Sequence, residues 1–224
     1  MALVKGTKTT ANPTPGSITY SFPHNQNVGA DGFLLFTIAQ ANTQSVVSVT
    51  YNSVAMTQIH TTDTGTLSTR YTAFKLSAPA TGTNTLEVTF SSAVWNPIVA
   101  FTQSFTGCGG VGLTSKTGLL NSINSQSLTV AANSMIYASG VSQNTIVWIT
   151  IDGVAVTAPD YDHDGSVNGK RFTGEVSTSL AAGSRTASID IFSTSFTTTN
   201  NMIEILEAGV APPSGNQGNF FLMF

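Results

Sequence analysis

Three carboxylates alternate along the segment APDYDHDGSVNG (158–169): Asp160, Asp162 and Asp164, with Gly165 directly after them. They are three of only 11 acidic residues in 224. This spacing opens the D-x-D-x-D-G pattern of a calcium loop, in which alternate carboxylates on a tight turn converge on one hard cation and the glycine permits the bend after the third ligand. Continuing the count, Ser166 would offer a carbonyl and Asn168 a water-bridged contact, but the twelfth position, which should hold a bidentate glutamate, is Arg171. The flanks read as strands rather than helices, so an EF-hand is excluded. Three readings stay open: a partial loop taking calcium or another hard cation, completed by Glu175 or a carbonyl from elsewhere; a solvated polar loop; and a catalytic acid pair. The last needs two carboxylates facing each other across a cleft, which a single loop does not make.

Other reactive side chains are sparse. His24, His60 and His163 are widely separated, and no G-x-S-x-G elbow supports a Ser-His-Asp triad. Cys108 is the single cysteine, which excludes an internal disulfide and a cysteine-based zinc site. Gly107, Gly109 and Gly112 satisfy G-x-G-x-x-G, yet no helix pattern follows and no acid occurs before Asp152. A dinucleotide fingerprint needs both, so this stretch reads as a connector. Trp95 and Trp148 lie beside or inside strand patterns and are expected to pack in a core.

The elements that must position these groups are strands. SITYSF, VVSVTYN, NTLEVTF and RTASIDIF alternate, placing Ile18, Tyr20 and Phe22, then Val47, Val49 and Tyr51, then Leu86, Val88 and Phe90, then Ala187, Ile189 and Ile191 on single faces. FLLFTIA and PIVAF are unbroken apolar runs, as expected of central strands covered on both sides. No window of helical period exceeds two turns. The halves also resemble each other: TYNSVAMT (50–57) answers TIDGVAVT (150–157), RYTAFKLSAPATGTNTLEVTF (70–90) answers RFTGEVSTSLAAGSRTASIDI (171–191), and FLLF (33–36) answers SMIY (134–137). Three matches in one order at nearly one spacing point to internal duplication. The expected fold is all-β: two tandem antiparallel β-sandwich modules, jelly-roll or Ig-like. The expected organisation is an N-terminal arm at 1–16, module 1 at 17–107, a Gly-rich connector at 108–117, module 2 at 118–209, and a linker with an apolar tail at 210–224. The first-half counterpart of the aspartate loop, QIHTTDTGTLST, keeps its glycine at Gly65 but has only Asp63 as an acid, so the loop itself does not require a carboxylate cluster.

Composition narrows the function. Charged residues are 8% against roughly 25% in an average soluble protein, while hydrophobic residues reach 41% and the net charge is −3. No basic patch suits nucleic acid, no apolar run approaches the roughly 20 residues of a membrane helix, and MALVKGTKTTANPTPGS lacks the apolar core of a signal peptide. Weak charge favours association with copies of the same chain. The segment Phe220, Phe221, Leu222, Met223 and Phe224 is apolar and uncharged, and follows a ten-residue Pro- and Gly-containing lead. Leaving such side chains in water costs about 1.5–3 kcal/mol each, so the tail is expected to dock, mostly on another chain, as an assembly element.

VVSVTYNSVAMTQI, LSAPATGTNTLEVTFSS and VAFTQSFTGC resemble a family of β-rich proteins of tailed phages and prophages, whose pattern runs V-T-Y-N-G-V-x-[ML]-T and then L-x-x-P-x-x-G-T. Ser53 stands where that pattern has glycine. The resemblance spans about 90 residues plus the tail and carries over no catalytic residue. It implies a non-enzymatic virion structural protein (capsid, decoration or tail component) whose partners are its own copies and other virion proteins; no cofactor is expected, and calcium at Asp160, Asp162 and Asp164 stays a candidate from the spacing alone. The rival readings are a carbohydrate- or receptor-binding adhesion module, helped by calcium, and a hydrolase on a jelly roll.

Overall fold

A computed structural model describes residues 1–26, 32–41, 43–64, 69–96, 98–120, 123–142, 146–156, 171–191 and 197–209. The first half contributes β1 (Val4–Ala11), β2 (Ser17–Gln26), β3 (Gly32–Ala41), β4 (Val46–Tyr51), β5 (Val54–Ala55), β6 (Thr57–Thr64), β7 (Thr69–Ser77), β8 (Gly82–Val94) and β9 (Val99–Thr106). These strands pair as nested antiparallel hairpins: β4 with β5, β3 with β7, β2 with β8, and β1 with β9. Nested pairing is what results when one long antiparallel ribbon rolls up into two sheets, the jelly roll. The inner sheet runs β1-β9-β3-β7-β6 and the outer sheet β2-β8-β4-β5.

The second half repeats the wrap. Its strands are β10 (Cys108–Leu120), β11 (Ile123–Val130), β12 (Met135–Ser142), β13 (Ile146–Ile151), β14 (Val154–Ala155), β15 (Arg171–Val176), β16 (Gly183–Ile191) and β17 (Thr197–Glu207). They form an inner sheet β10-β17-β12-β15 and an outer sheet β11-β16-β13-β14. The two short hairpins match in detail. Tyr51 faces Val54 as Ile151 faces Val154. Their turns hold Asn52 (φ 49°) and Ser53 (φ 62°) in one half, Asp152 (φ 51°) and Gly153 (φ 78°) in the other. Two positive φ values in a two-residue turn match the right-handed twist of the strands.

Three residue-level expectations are corrected. FLLF and SMIY do not correspond at the spacing read from sequence. The carbonyl of Gly32 accepts the Ala78 amide and that of Ser134 accepts the Leu180 amide, which makes 32 and 134 the counterparts and moves the match by one residue. Leu34, Phe36 and Ile38 line the first half's own core, and Ile136 and Ala138 the second's; a one-residue slip would turn the strand inside out. Ile18 and Val47 fall outside the core because a bulge interrupts each alternation, between Ser17 and Thr19 and between Val46 and Ser48. Finally, residues read as an arm and as a connector are strands: β1 pairs with β9 and β10 with β17. Only Gly107 separates β9 from β10. A side chain there would strike the carbonyl of Ala2, and one at Gly112 would strike the Glu204 carboxylate, so these glycines serve close packing.

The halves share a core. Phe33, Leu35, Tyr71, Phe101 and Phe105 of the first inner sheet pack against Met135, Tyr137, Val176, Ile203 and Ile205 of the second. Four sheets therefore stack in the order outer, inner, inner, outer, with a separate core inside each jelly roll. The continuous apolar run of β3 follows, since one face serves its own jelly roll and the other serves the shared core. Polar contacts set the alignment: the Thr37 and Tyr137 hydroxyls lie 2.8 Å apart, Lys8 Nζ donates to the Gly174 carbonyl at 2.8 Å, and Thr62 donates to Asn201 Oδ1 at 3.2 Å. A Cβ at Gly174 would run into the Tyr137 hydroxyl. Gly174→Ala is expected to lower stability by about 1–3 kcal/mol through overpacking, measured by urea unfolding. A loss below about 0.5 kcal/mol would mean that the inner sheets adjust freely against each other.

Candidate functional site

Both groups singled out from sequence, Asp160–Asp164 and Phe220–Phe224, lie outside the described residues. The described frame around the first is informative. In the first half, Asp63 takes a two-pronged ion pair from Arg70, Nε to Oδ1 at 2.6 Å and Nη2 to Oδ2 at 3.0 Å. The acid of that loop therefore fastens β6 to β7, and Arg171 stands at the position equivalent to Arg70. Among the described residues, no three His, Cys, Asp or Glu side chains gather as a metal site.

The densest polar cluster is one the sequence reading did not single out. His24 continues the inward alternation Tyr20, Phe22, His24, Gln26 on β2 and is 1% exposed. Ser104 on β9 donates to Gln26 Oε1 at 2.5 Å. Its oxygen is therefore the acceptor for His24 Nε2–H at 2.7 Å, and Nδ1 accepts from the Thr9 hydroxyl of β1 at 2.8 Å. The chain of donors runs one way, from Thr9 through His24 and Ser104 to Gln26, and fixes the imidazole as the neutral Nε2–H tautomer. Burial pushes its pKa down to about 4, against a smaller upward pull from the hydrogen bond to Gln26. A serine beside a histidine suggests a nucleophile and its base, but here the serine proton is already committed, the third member is a hydroxyl rather than a carboxylate, and His24, Ser104 and Gln26 are sealed from solvent. This geometry cannot activate Ser104 in the way a triad does. It fastens β1, β2 and β9 together.

The second half makes the same fastening with different chemistry. Ser104 faces Leu34 and Glu204 faces Ile136, which makes Glu204 the counterpart of Ser104. Its carboxylate, 0% exposed, accepts the amides of Ala131 at 2.6 Å and Leu113 at 2.9 Å. Leu128 replaces His24. Cys108 is a structural thiol as well: burial raises its pKa to about 11, and its sulfur contacts Gly110.

Among the clefts lined by described residues, two hold about 290 Å³ each. The first surrounds the Asn52–Ser53 turn and is polar, with Thr50, Thr83, Asn84 and Glu87 on its walls. The matching place in the second half holds an ion pair, with Arg185 donating to Asp152 at 3.0 Å while the Thr186 amide donates to the same carboxylate at 2.9 Å. The amide of Thr186 foremost, with Arg185, holds the Asp152 carboxyl below the usual range. The second cleft is apolar and lies between the β13–β14 hairpin and the chain after β15, with Ile151, Val154, Val156, Val176 and Leu180 on its walls and Lys5 of β1 at its rim. Trp95, expected in a core, is 74% exposed: it follows β8, and its ring lies across Gly16. The side chain of Trp148 is outside the described set.

No known family profile matches the chain, and no curated protein does. Among solved structures, it is similar to the major capsid protein P2 of bacteriophage PM2, at 11% identity, covering 94% of this chain and 100% of that one with a TM-score of 0.30. A superposition this loose leaves function to the geometry.

A histidine whose pKa is about 4 folded and about 6.5 unfolded adds stability that is complete above pH 6.5. That stability is lost as the pH falls toward 4, because the unfolded chain then binds the extra proton. Unfolding free energy is expected to drop on the order of 3 kcal/mol from pH 7 to pH 4, and His24→Leu, which copies Leu128, should remove most of that slope. An unchanged slope in the variant would refute the assignment.

Proposed function

We propose that this chain is a non-enzymatic structural component of a phage virion, a capsid, decoration or tail protein. In this reading it assembles with its own copies and with other virion proteins through its sandwich surfaces and the Phe220–Phe224 segment. The observation that carries the reading is the four-sheet stack. A single-residue join and a shared apolar core make one stiff block from two jelly rolls. Its outer sheets carry paired hydroxyls, such as Thr19–Thr89 at 3.4 Å in the first half and Ser125–Ser188 at 2.7 Å and Ser127–Thr186 at 2.9 Å in the second, with few charges among them. Such faces can be brought against neighbours without stranding a buried charge. The residues of the phage-protein pattern support the same reading: Tyr51, Leu86, Val88, Phe101 and Phe105 are all core residues, so what that pattern preserves is an architecture. Neither nucleic acid nor membrane belongs to this function, and the two jelly rolls are read as an internal duplication.

The polar cleft at Asn52 and Ser53 favours a second reading, an adhesion module whose hydroxyl and amide walls would hydrogen-bond a neutral glycan. Light scattering on the purified full chain distinguishes the two. The structural reading expects a stable multimer, and deletion of residues 219–224 is expected to leave far-UV β content unchanged while abolishing assembly. A monomer that retains glycan would favour adhesion.

The aspartate loop is expected to be dispensable for folding. Millimolar calcium against chelator should move the melting temperature by less than about 2 °C. A shift of about 5 °C or more, of the order that about 1 kcal/mol produces in a small domain, and lost in Asp162→Ala, would instead assign a calcium site there.

A further inference from the structure

Three pairs of residues distinguish the apolar cleft of the second half from the equivalent place in the first. Ile151, Val156 and Ser177 stand where the first half has Tyr51, Met56 and Leu76. The larger set is packed into the first half's core, whereas the smaller set leaves about 290 Å³ open. Beside this cleft Val154, at the hairpin tip, is 71% exposed. An apolar cleft next to an exposed apolar side chain marks a docking surface.

The chain itself carries a segment of the matching chemistry. Fifteen residues follow Gly209, and they end in Phe220, Phe221, Leu222, Met223 and Phe224. Their point of departure is close to the cleft. The Ala208 amide donates to the Gly107 carbonyl at 2.8 Å, Gly107 packs against Ala2, and Lys5, three residues further along the chain, stands at the cleft rim. The lead Val210–Asn219 spans roughly 30 Å if extended, at about 3.3 Å per residue. A lead of that length is enough to reach the cleft of a neighbouring copy.

We propose that the cleft of Ile151, Val154, Val156, Val176, Ser177 and Leu180 is the seat for the Phe220–Phe224 segment of a second copy of this chain. The cleft takes part of the segment, and the rest lies along the exposed hairpin. This is a donor-and-acceptor contact, in which each copy gives a tail and receives one, so it propagates from copy to copy unless the geometry closes a ring. It rests on the assembly reading above and names the contact that assembly uses.

Complementation tests it, with light scattering on full-length chains. One variant fills the seat with the first half's own residues, Val156→Met with Ser177→Leu, and keeps the tail. A second lacks residues 219–224 and keeps the seat. Each alone is expected to be monomeric, and the two mixed should form a one-to-one complex, because one has the free tail and the other the free seat. Circular dichroism and melting temperature establish that the filled variant is folded. Thr178→Arg, at an exposed rim position, blocks the seat without touching the core and should weaken assembly at least tenfold. If the parent assembles and both seat variants assemble as it does, the seat is refuted and the assembly reading stands. If the mixture yields no complex while each variant alone is monomeric, the free tail does not enter the free seat and the seat is again refuted. If the parent is itself a monomer, both readings fall.

Discussion

Phe33, Leu35, Tyr71, Phe101 and Phe105 leave their sheet on the side away from their own jelly roll, and the fold depends on what covers them. A sheet in an isolated jelly roll has one wet face; here both inner sheets have none. Burying the second face forces the two halves together with a fixed alignment, and the remaining features are consequences. β3 must be buried at every position, and it is. The join must be short, and it is one glycine. The hydroxyls of Thr37 and Tyr137 meet at 2.8 Å in the buried seam, where water does not satisfy them.

Polar groups inside this block behave as fastenings, and the two halves show two solutions to one problem. Where strands from both sheets of a jelly roll converge, backbone amides and hydroxyls are cut off from water. The first half bridges the gap with a neutral histidine between Thr9 and Ser104. The second bridges it with the Glu204 carboxylate held by two amides. The two halves share a wrap and meet the same packing constraint with unlike chemistry.

Much of this was legible in the sequence. Alternation located the strands, the unbroken runs FLLFTIA and PIVAF marked those with both faces covered, and the matched hairpin segments revealed the repeated organisation. What escaped was non-local. Bulges shift which residues face inward, so Ile18 and Val47 were placed on the wrong side; a bulge depends on the partner strand, which a linear pattern does not contain. Glycines at 107 and 112 read as a flexible connector because close approach to Ala2 and Glu204 exists only after folding. The histidine cluster draws on β1, β2 and β9, and its only local trace is the continuation of the Tyr20–Phe22 alternation into His24 and Gln26. Trp95 was placed in a core because its size, rather than its position after the end of β8, governed the expectation.

The single-glycine join also sets an order of events during synthesis. In the nested wrap β1 pairs with β9, so the first jelly roll cannot close until about residue 106 has emerged. At that moment its inner sheet is complete and the aromatic face that will meet the second half is bare. The cover is roughly 100 residues away, which at ~5–20 residues per second is about 5–20 s of translation. For that interval a nascent chain displays a largely apolar sheet, with Lys8 beside Phe101 as a charge on it, and neighbouring nascent chains on the same message display the same surface. Low charge offers little repulsion at this stage. Polysome spacing and chaperone access thus act on the same surface that later holds the mature block together.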